Sequence, residues 1–214
     1  MTFNRGPAAS WTRQFLTSGA LAIALLYAAT GLGATPAHAN AEDQTPATAA
    51  ALGSIKSLSL GQMRKLVVHD APKDFPQTPF VNAAGETVTL GDFTGEIVFV
   101  NLWATWCAPC KKEMPSIDRL AGKLQGQPFR VVAISVDQGG AIERAKTFLS
   151  DEISAEHLDF YIDDAFAVPR EAGAIGLPTS FILDRSGKEV ARLVGDAEWD
   201  SAEAVAVMER LIKN

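Results

Sequence analysis

The sequence predicts an α/β protein in which a mixed central sheet carries helices on both faces. Two apolar runs rich in β-branched residues, of the kind found in strands covered on both faces, each precede a stretch of helical period. Two further apolar runs flank a polar five-residue turn, which indicates an antiparallel hairpin, and an amphipathic stretch ends the chain. With 214 residues, 47% of them hydrophobic, the chain can form one substantial core and is too short to suggest two full catalytic domains.

The N-terminus indicates an export segment. Residues 14–41 contain no Asp, Glu, Lys or Arg, and residues 20–33 form a nearly continuous apolar run behind two arginines. Residues 37–39 (Ala-His-Ala) fit the small-x-small pattern of a signal peptidase site, which favours cleavage before Asn40. The alternative is an uncleaved anchor over about residues 14–36, because the uncharged span reaches the roughly 20 residues that a membrane-crossing helix needs. In both cases we expect the remainder to face the periplasm of a bacterial cell.

The segment between the export segment and the domain shows little periodicity. Residues 40–54 are rich in Ala, Thr and Pro and have no period that could bury one face, which predicts a tether. Residues 59–68 predict a short amphipathic helix. We therefore divide the chain into a signal peptide or signal anchor over 1–39, a tether and short helix over 40–70, and a domain over 71–214.

The elements of the domain follow from short local patterns. We expect, in order, a hairpin turn at 82–85, a buried strand at 97–102, a helix at 108–124, a buried strand at 129–136, a helix at 141–149, a hairpin of strands 179–183 and 189–194, and a closing helix at 199–212. Alternation of strand and helix in the first part implies parallel pairing through right-handed crossovers.

The charge of the chain excludes one class of partner. The formal net charge is -6, and no block of five or more basic residues is present to neutralise a phosphate backbone. We therefore expect no nucleic acid partner.

The only two cysteines, Cys107 and Cys110, lie where a predicted buried strand gives way to a helix. The first turn of a helix presents unpaired N–H groups and the positive end of the helix dipole, which stabilise a thiolate. We expect Cys107, at the exposed edge of this turn, to attack a substrate disulfide, and the more enclosed Cys110 to resolve the mixed disulfide. Pro109 stiffens the loop at little cost, because its missing N–H has no partner in the first turn of a helix.

Three other uses of the cysteine pair are considered. A structural disulfide would normally close a larger loop, because a bridge across two residues restricts the unfolded chain very little. A zinc site needs about four ligands, and only His69 and His157 could join the cysteines, at spacings that match no common pattern. A dithiol that carries copper without redox turnover is the main alternative function, since thiolates suit Cu(I). We predict no resident metal.

Residues 100–115 (VNLWATWCAPCKKEMP) resemble the active-site segment of the TlpA/ResA/CcmG branch of the thioredoxin superfamily. Within the branch, residues 67–79 and 198–201 are most similar to the TlpA subgroup. Residues 176–179 (GLPT) resemble the superfamily loop whose proline is cis and lies against the redox cysteines, and the likeness covers about residues 70–214. The resemblance implies a thioredoxin-like fold and a redox-active Cys107–Cys110 disulfide with no separate cofactor. It also implies a cis Leu177–Pro178 bond.

The substrate side of this site is expected to include four residues besides the cysteines. Trp106 stands beside Cys107 and is expected to shape the substrate surface, whereas Trp103 is expected to pack in the core. Leu177, Pro178 and Thr179 would offer a backbone edge on which an extended substrate peptide can pair.

Members of the branch that the sequence resembles are periplasmic reductants. They pass electrons to apocytochrome c or to copper-handling proteins of cytochrome oxidase assembly. The resemblance therefore implies protein substrates with cysteine pairs and a membrane electron donor. A disulfide-forming oxidant would use the same two cysteines at a different reduction potential.

The sequence differs from cytoplasmic thioredoxin at one informative position. The buried acid that thioredoxin carries six residues before its first cysteine is here Asn101, which cannot take a proton from Cys110. Glu113, three residues after Cys110 on the same helix, is the replacement that the resemblance suggests, and we predict it as the third catalytic residue. The alternative is an ordinary solvated glutamate.

The fate of the N-terminal segment can be tested by fractionation of cells that express the full chain. We expect full-length protein to remain in carbonate-washed membranes, because residues 14–36 are long and apolar enough to anchor it. A soluble form that begins at Asn40 would show cleavage instead.

Overall fold

The computed structural model describes residues 47–214, and within them eight strands form one sheet. The strands are β1 (Val67–Lys73), β2 (Phe80–Asn82), β3 (Thr87–Val88), β4 (Ile97–Trp103), β5 (Phe129–Ser135), β6 (Phe160–Ile162), β7 (Thr179–Leu183) and β8 (Glu189–Val194). The helices are α1 (Ala49–Leu58), α2 (Ala108–Lys123), α3 (Ala141–Thr147), α4 (Ala167–Glu171) and α5 (Ala202–Ile212). Short 3-10 turns lie at Gly61–Lys65 and Leu90–Phe93, and a π-helical turn at Phe148–Glu152 follows α3.

The sheet is mixed, as the sequence predicts. Its strand order is β1-β8-β7-β4-β5-β6-β2-β3. The pairs β4–β5 and β5–β6 are parallel, and the other five pairs are antiparallel. The two parallel pairs are joined by crossovers that contain α2 and α3, and the β7–β8 hairpin has the predicted bounds.

Helices cover both faces of the sheet. A first apolar cluster packs residues of α1, α2, α3 and α5 on one face, and a second cluster packs residues of α4 on the other. β4 is buried along its whole length, and its residues alternate between the two clusters. Ile97, Phe99 and Trp103 belong to the first cluster, and Val98, Val100 and Leu102 to the second. The period of two places Asn101 on the face of the first cluster, beneath α2.

The helix α1 corrects the predicted tether. Residues 49–58 are helical, Thr48 caps the helix by accepting a hydrogen bond from the backbone N–H of Ala51, and Leu52 and Ile55 are buried in the first cluster. The prediction of a tether over residues 40–54 is therefore wrong from residue 49 onward. The apolar stripe of α1 is too narrow to recognise in the sequence, and contacts with α5 and β1 stabilise it instead.

The predicted helix over residues 59–68 is also wrong. A single 3-10 turn ends at Lys65, and β1 begins at Val67, which pairs with Arg192 of β8. Gly61 adopts a positive φ of 51°, a conformation that interrupts a regular helix. Because α1 packs against the sheet and β1 is its edge strand, the fold includes residues before the predicted domain start at residue 71.

Other differences concern short elements. The sequence predicts no element between residues 150 and 178, where β6 and α4 lie; strands and helices of three and five residues are too short to show a period. The closing helix begins at Ala202 rather than residue 199, because the Ser201 side chain caps it by accepting from the N–H of Ala204.

No helix within residues 47–214 has the length and apolar character needed to cross a membrane. The predicted export segment over residues 1–39 lies outside the described part of the chain.

Candidate redox site

The two cysteines lie at the carboxyl end of β4, where the chain enters α2. Cys107 is the N-cap residue of α2, and its sulfur accepts a hydrogen bond of 3.3 Å from the backbone N–H of Cys110. Pro109 lies in the first turn of the helix, as the sequence predicts. The sulfur of Cys107 is therefore held at the positive end of the helix dipole, where a thiolate is stabilised.

Cys107 and Cys110 form a disulfide, and the two sulfurs differ in accessibility. Cys107 is 6% exposed to solvent, whereas Cys110 is fully buried. An incoming group can therefore reach Cys107 but not Cys110 without movement of the chain. This difference agrees with the predicted order of attack.

The loop before β7 contains the predicted cis proline and packs against the sheet that carries the cysteines. The Leu177–Pro178 bond is cis, which confirms the prediction, and Leu177 packs against the apolar cluster that contains both cysteines. Thr179 pairs with Leu102 of β4, so the loop reaches the carboxyl end of that strand. The Thr179 hydroxyl donates to the carbonyl of Gly176 at 2.6 Å, which ties the loop to the start of β7.

The two neighbouring tryptophans have opposite environments. Trp106 is 69% exposed beside Cys107, and Trp103 is fully buried and packs on Phe148 with ring centroids 5.3 Å apart. The core position predicted for Trp103 is confirmed, and Trp106 is free to contact a substrate.

Glu113 is a buried residue, so the alternative of a solvated helix glutamate is wrong. Its side chain is 1% exposed and accepts hydrogen bonds from three donors. Asn101 Nδ2 donates to Oε1 at 2.8 Å, while the backbone N–H of Ala197 and Nε1 of Trp199 donate to Oε2 at 3.2 and 3.1 Å. Asn101 thus contacts Glu113, the residue predicted to replace the acid that is absent at position 101.

Burial raises the pKa of Glu113 from 4.5 to about 7. The hydrogen bonds from Asn101, Trp199 and Ala197 favour the ionised form and oppose this shift, but they do not cancel the loss of hydration. Glu113 is therefore a carboxyl group that can exchange a proton near neutral pH, one helical turn from Cys110.

Two groups of contacts were not predicted from the sequence. Trp199 was expected in the closing helix, but it precedes that helix and its indole N–H donates to Glu113. A buried indole N–H needs such an acceptor, and this requirement was the available signal. Asp137 was also not predicted; it accepts hydrogen bonds from Thr105, two residues before Cys107. A carboxylate directly after a buried strand, beside the strand that carries the cysteines, could have indicated it.

Two lysines next to the motif form surface ion pairs, and His69 forms a buried pair elsewhere. Lys111 pairs with Glu152 at 2.6 Å and Lys112 with Asp196 at 3.0 Å. His69, on the edge strand β1, is hydrogen-bonded to Glu189, and no group of three or more His, Cys, Asp or Glu side chains within residues 47–214 is arranged to hold a metal ion.

Comparison with known proteins identifies the family. Residues 67–191 match the AhpC/TSA family. The chain belongs to the AhpC/TSA family. It is 32% identical over 133 residues to the thiol-disulfide oxidoreductase ResA of Bacillus thuringiensis, which covers 61% of this chain and 73% of the relative. The ResA of Bacillus subtilis is 28% identical over 124 residues, which cover 57% of this chain and 66% of the relative.

Solved structures agree with this assignment. A putative thiol:disulfide interchange protein DsbE from Chlorobium tepidum superposes with a TM-score of 0.59 at 30% identity, over 66% of this chain and 96% of that protein. A secreted thiol-disulfide isomerase from Corynebacterium glutamicum, at 20% identity, has a TM-score of 0.60 over 70% of this chain and 93% of that protein, and supports the thioredoxin-like fold alone.

This AhpC/TSA-family member is a thiol-disulfide oxidoreductase of the TlpA/ResA/CcmG branch. The assignment rests on the family match, on the ResA and DsbE relatives and on the disulfide at the N-terminus of α2. The resemblance noted in the sequence is confirmed at the level of the branch. The finer assignment to the TlpA subgroup stays a prediction.

The raised pKa of Glu113 predicts a specific dependence of stability on pH. Between about pH 4.5 and 7 the folded protein holds a proton on Glu113 that the unfolded chain releases. The free energy of unfolding of the wild type, relative to Glu113→Gln, should therefore fall as pH rises through this window and stay constant above it. The total loss is on the order of 3 kcal/mol.

Urea denaturation of the oxidised proteins between pH 4 and pH 8 measures this difference. Glu198→Gln, a change at an exposed glutamate nearby, is the matched control and should leave the pH dependence of the wild type intact. A constant difference between wild type and Glu113→Gln across the window would contradict the raised pKa.

Proposed function

We propose that this protein is a periplasmic reductant of disulfides in other proteins, with Cys107 as the attacking and Cys110 as the resolving cysteine. One observation carries the proposal: the sulfur of Cys107 caps the N-terminus of α2 and keeps some exposure, whereas Cys110 is fully buried one turn further along. The first position suits a reactive thiolate, and the second suits a thiol that acts only within the mixed disulfide.

The reaction begins with the reduced dithiol. The Cys107 thiolate attacks one sulfur of a substrate disulfide, a mixed disulfide forms, and the other substrate sulfur leaves as a thiolate that takes up a proton. Cys110 then attacks the Cys107 sulfur, the second substrate sulfur leaves, and the Cys107–Cys110 disulfide is restored. Two electrons pass to the substrate in each cycle, so a dithiol donor is needed to reduce the protein again.

Glu113 is proposed to accept the proton of Cys110 during resolution. A fully buried thiol must lose its proton to become a nucleophile, and burial disfavours the thiolate. Asn101 can only donate or accept hydrogen bonds, whereas the carboxylate of Glu113 lies one turn along the same helix and titrates near neutral pH. Its three donors hold the carboxylate in a fixed position while the proton moves.

The substrate is proposed to be a protein with a cysteine pair, bound at the surface formed by Trp106, Leu177, Pro178 and Thr179. The exposed ring of Trp106 provides apolar contact area, and Leu177 and the cis Pro178 precede Thr179, which pairs with Leu102 near the end of the strand that leads to the cysteines. Similarity to the TlpA/ResA/CcmG branch supports copper-assembly factors of cytochrome oxidase or apocytochrome c as substrates. The export segment supports a periplasmic location, an anchor over residues 14–36 and a membrane electron donor.

The assigned roles of the cysteines predict different trapping behaviour. Cys110→Ser should accumulate substrates as mixed disulfides on Cys107, because resolution is lost, and Cys107→Ser should trap none. Non-reducing gels of proteins captured in periplasmic extracts provide the measurement. Equal capture by the two variants would contradict the roles, and a copper carrier without redox turnover would capture no protein with either variant.

The role of Glu113 predicts that Glu113→Gln slows only one of the two steps. Attack by Cys107 on a model disulfide peptide should stay within about twofold, and resolution should slow by roughly a hundredfold, the lower range for loss of a general base. Rapid-mixing kinetics resolves the two phases. Glu198→Gln serves as the control, and an unchanged resolution rate in Glu113→Gln would leave water as the proton acceptor.

A further inference from the structure

A second buried carboxylate, Asp137, contacts the segment that leads into Cys107, through Thr105. Asp137 lies two residues after the end of β5 and is 1% exposed. Its Oδ2 accepts from the backbone N–H of Thr105 at 2.9 Å and from the hydroxyl of Ser135 at 2.7 Å, and its Oδ1 accepts from the hydroxyl of Thr105 at 2.8 Å. Burial of a carboxylate is costly unless its oxygens are hydrogen-bonded, and both oxygens are used here.

The position of these bonds matters because backbone pairing between β4 and β5 ends just before them. Trp103 pairs with Ser135, and the last backbone bond runs from the N–H of Val136 to the carbonyl of Trp103 at 2.9 Å. Beyond it, the Asp137 side chain continues the connection to Thr105. Thr105 belongs to the segment 104–107, here called the redox turn, which joins β4 to α2 and ends at Cys107.

The two ends of the redox turn, Ala104 and Cys107, are buried and joined by a backbone hydrogen bond of 3.1 Å, whereas Thr105 and Trp106 between them are less buried. Trp106, between Thr105 and Cys107, is 69% exposed, and its ring lines a groove with Thr105, Asp137, Arg144 and Phe166. Arg144 lies 4.0 Å from Asp137 Oδ1 and donates to the carbonyls of the loop that follows Asp137. This groove is therefore held by two sets of polar contacts: Asp137 accepts from Thr105, and Arg144 donates to the loop that follows Asp137.

A carboxylate suits this position better than an amide or a hydroxyl. Thr105 presents two donors, its N–H and its hydroxyl, and each is directed at a different oxygen of Asp137. An asparagine has one carbonyl oxygen, and its NH₂ group would face one of these donors. The two-point contact restrains both the backbone and the side chain of Thr105.

We propose that Asp137 is a positioning residue for thiol-disulfide exchange, which acts through Thr105 to fix the redox turn and so the direction in which Cys107 meets a substrate disulfide. The inference rests on the proposed function to the extent that Cys107 is the attacking cysteine. In-line attack on a disulfide depends on the alignment of three sulfur atoms, so small displacements of the Cys107 sulfur lower the rate.

The test measures attack by Cys107 alone, in full-length protein that carries Cys110→Ser. The second-order rate of reaction with a small aromatic disulfide is compared for four proteins with this background: the parent, Thr105→Val, Thr105→Ser and Asp137→Asn. Thr105→Val keeps the shape and removes the hydroxyl donor, whereas Thr105→Ser keeps both donors. Thr94→Val is the matched control: it removes a hydroxyl hydrogen bond to the carbonyl of Gly91, outside the redox turn.

We expect Thr105→Val to slow the attack by about three- to tenfold and Asp137→Asn by about tenfold or more, since misplacement by 1 Å can cost roughly a hundredfold. Thr105→Ser and Thr94→Val should stay within about twofold. Urea unfolding of every variant, with rates measured where each is folded, separates positioning from stability, because a variant that is only less stable attacks at the parent rate while it is folded.

Two results would overturn the inference, and they are distinguishable. Equal rates for Thr105→Val and Thr105→Ser, with Asp137→Asn unchanged as well, would overturn the role of Asp137 alone. Absence of attack by the parent Cys110→Ser protein, in which Thr105 and Asp137 are intact, would overturn the proposed role of Cys107 and this inference with it.

Discussion

The burial of β4 on both faces determines where chemistry can occur in this protein. Its seven residues lie between two apolar clusters, so the strand itself has no exposed position before it leads into α2. There the first turn of α2 provides N–H groups without partners in the helix, and Cys107 occupies the cap. The alternation of side chains along the strand also directs Asn101 toward α2, so the polar contact with Glu113 is a consequence of the pleat.

Two buried carboxylates lie close in sequence or contact to the redox motif, Glu113 three residues after Cys110 and Asp137 on Thr105, and they differ in how their donors are supplied. Glu113 accepts from an amide, an indole and a backbone N–H, and its pKa still rises to about 7 because the site is apolar. Asp137 accepts from two hydroxyls and one backbone N–H at the carboxyl end of β5. We interpret the first as a group that exchanges a proton with Cys110 and the second as a group that holds the chain before Cys107.

The sequence was sufficient for those parts of the fold that have a strong local pattern. β4, β5, α2 and the β7–β8 hairpin were predicted within one or two residues because each is long or bounded by a clear turn. α1 was missed because its buried stripe is narrow and depends on contacts with α5 and β1. For the site, the motif around Cys107 and its family resemblance indicated the cysteines, the cis proline and Glu113. The partners of Trp199 and Asp137 were not predicted, because they lie far away in sequence and only the need of each buried group for a hydrogen-bond partner signalled them.

The docking of α1 onto the domain shortens the free length of chain that could connect it to a bilayer. Because α1 begins at Ala49, the chain from residue 36 to the fold could span at most about 47 Å. If residues 14–36 act as the proposed anchor, this length and the size of the domain would set the depth of the layer above the membrane in which Cys107 can operate. A partner would then have to present its disulfide within that layer, so tether length itself would select membrane-associated substrates over freely diffusing ones.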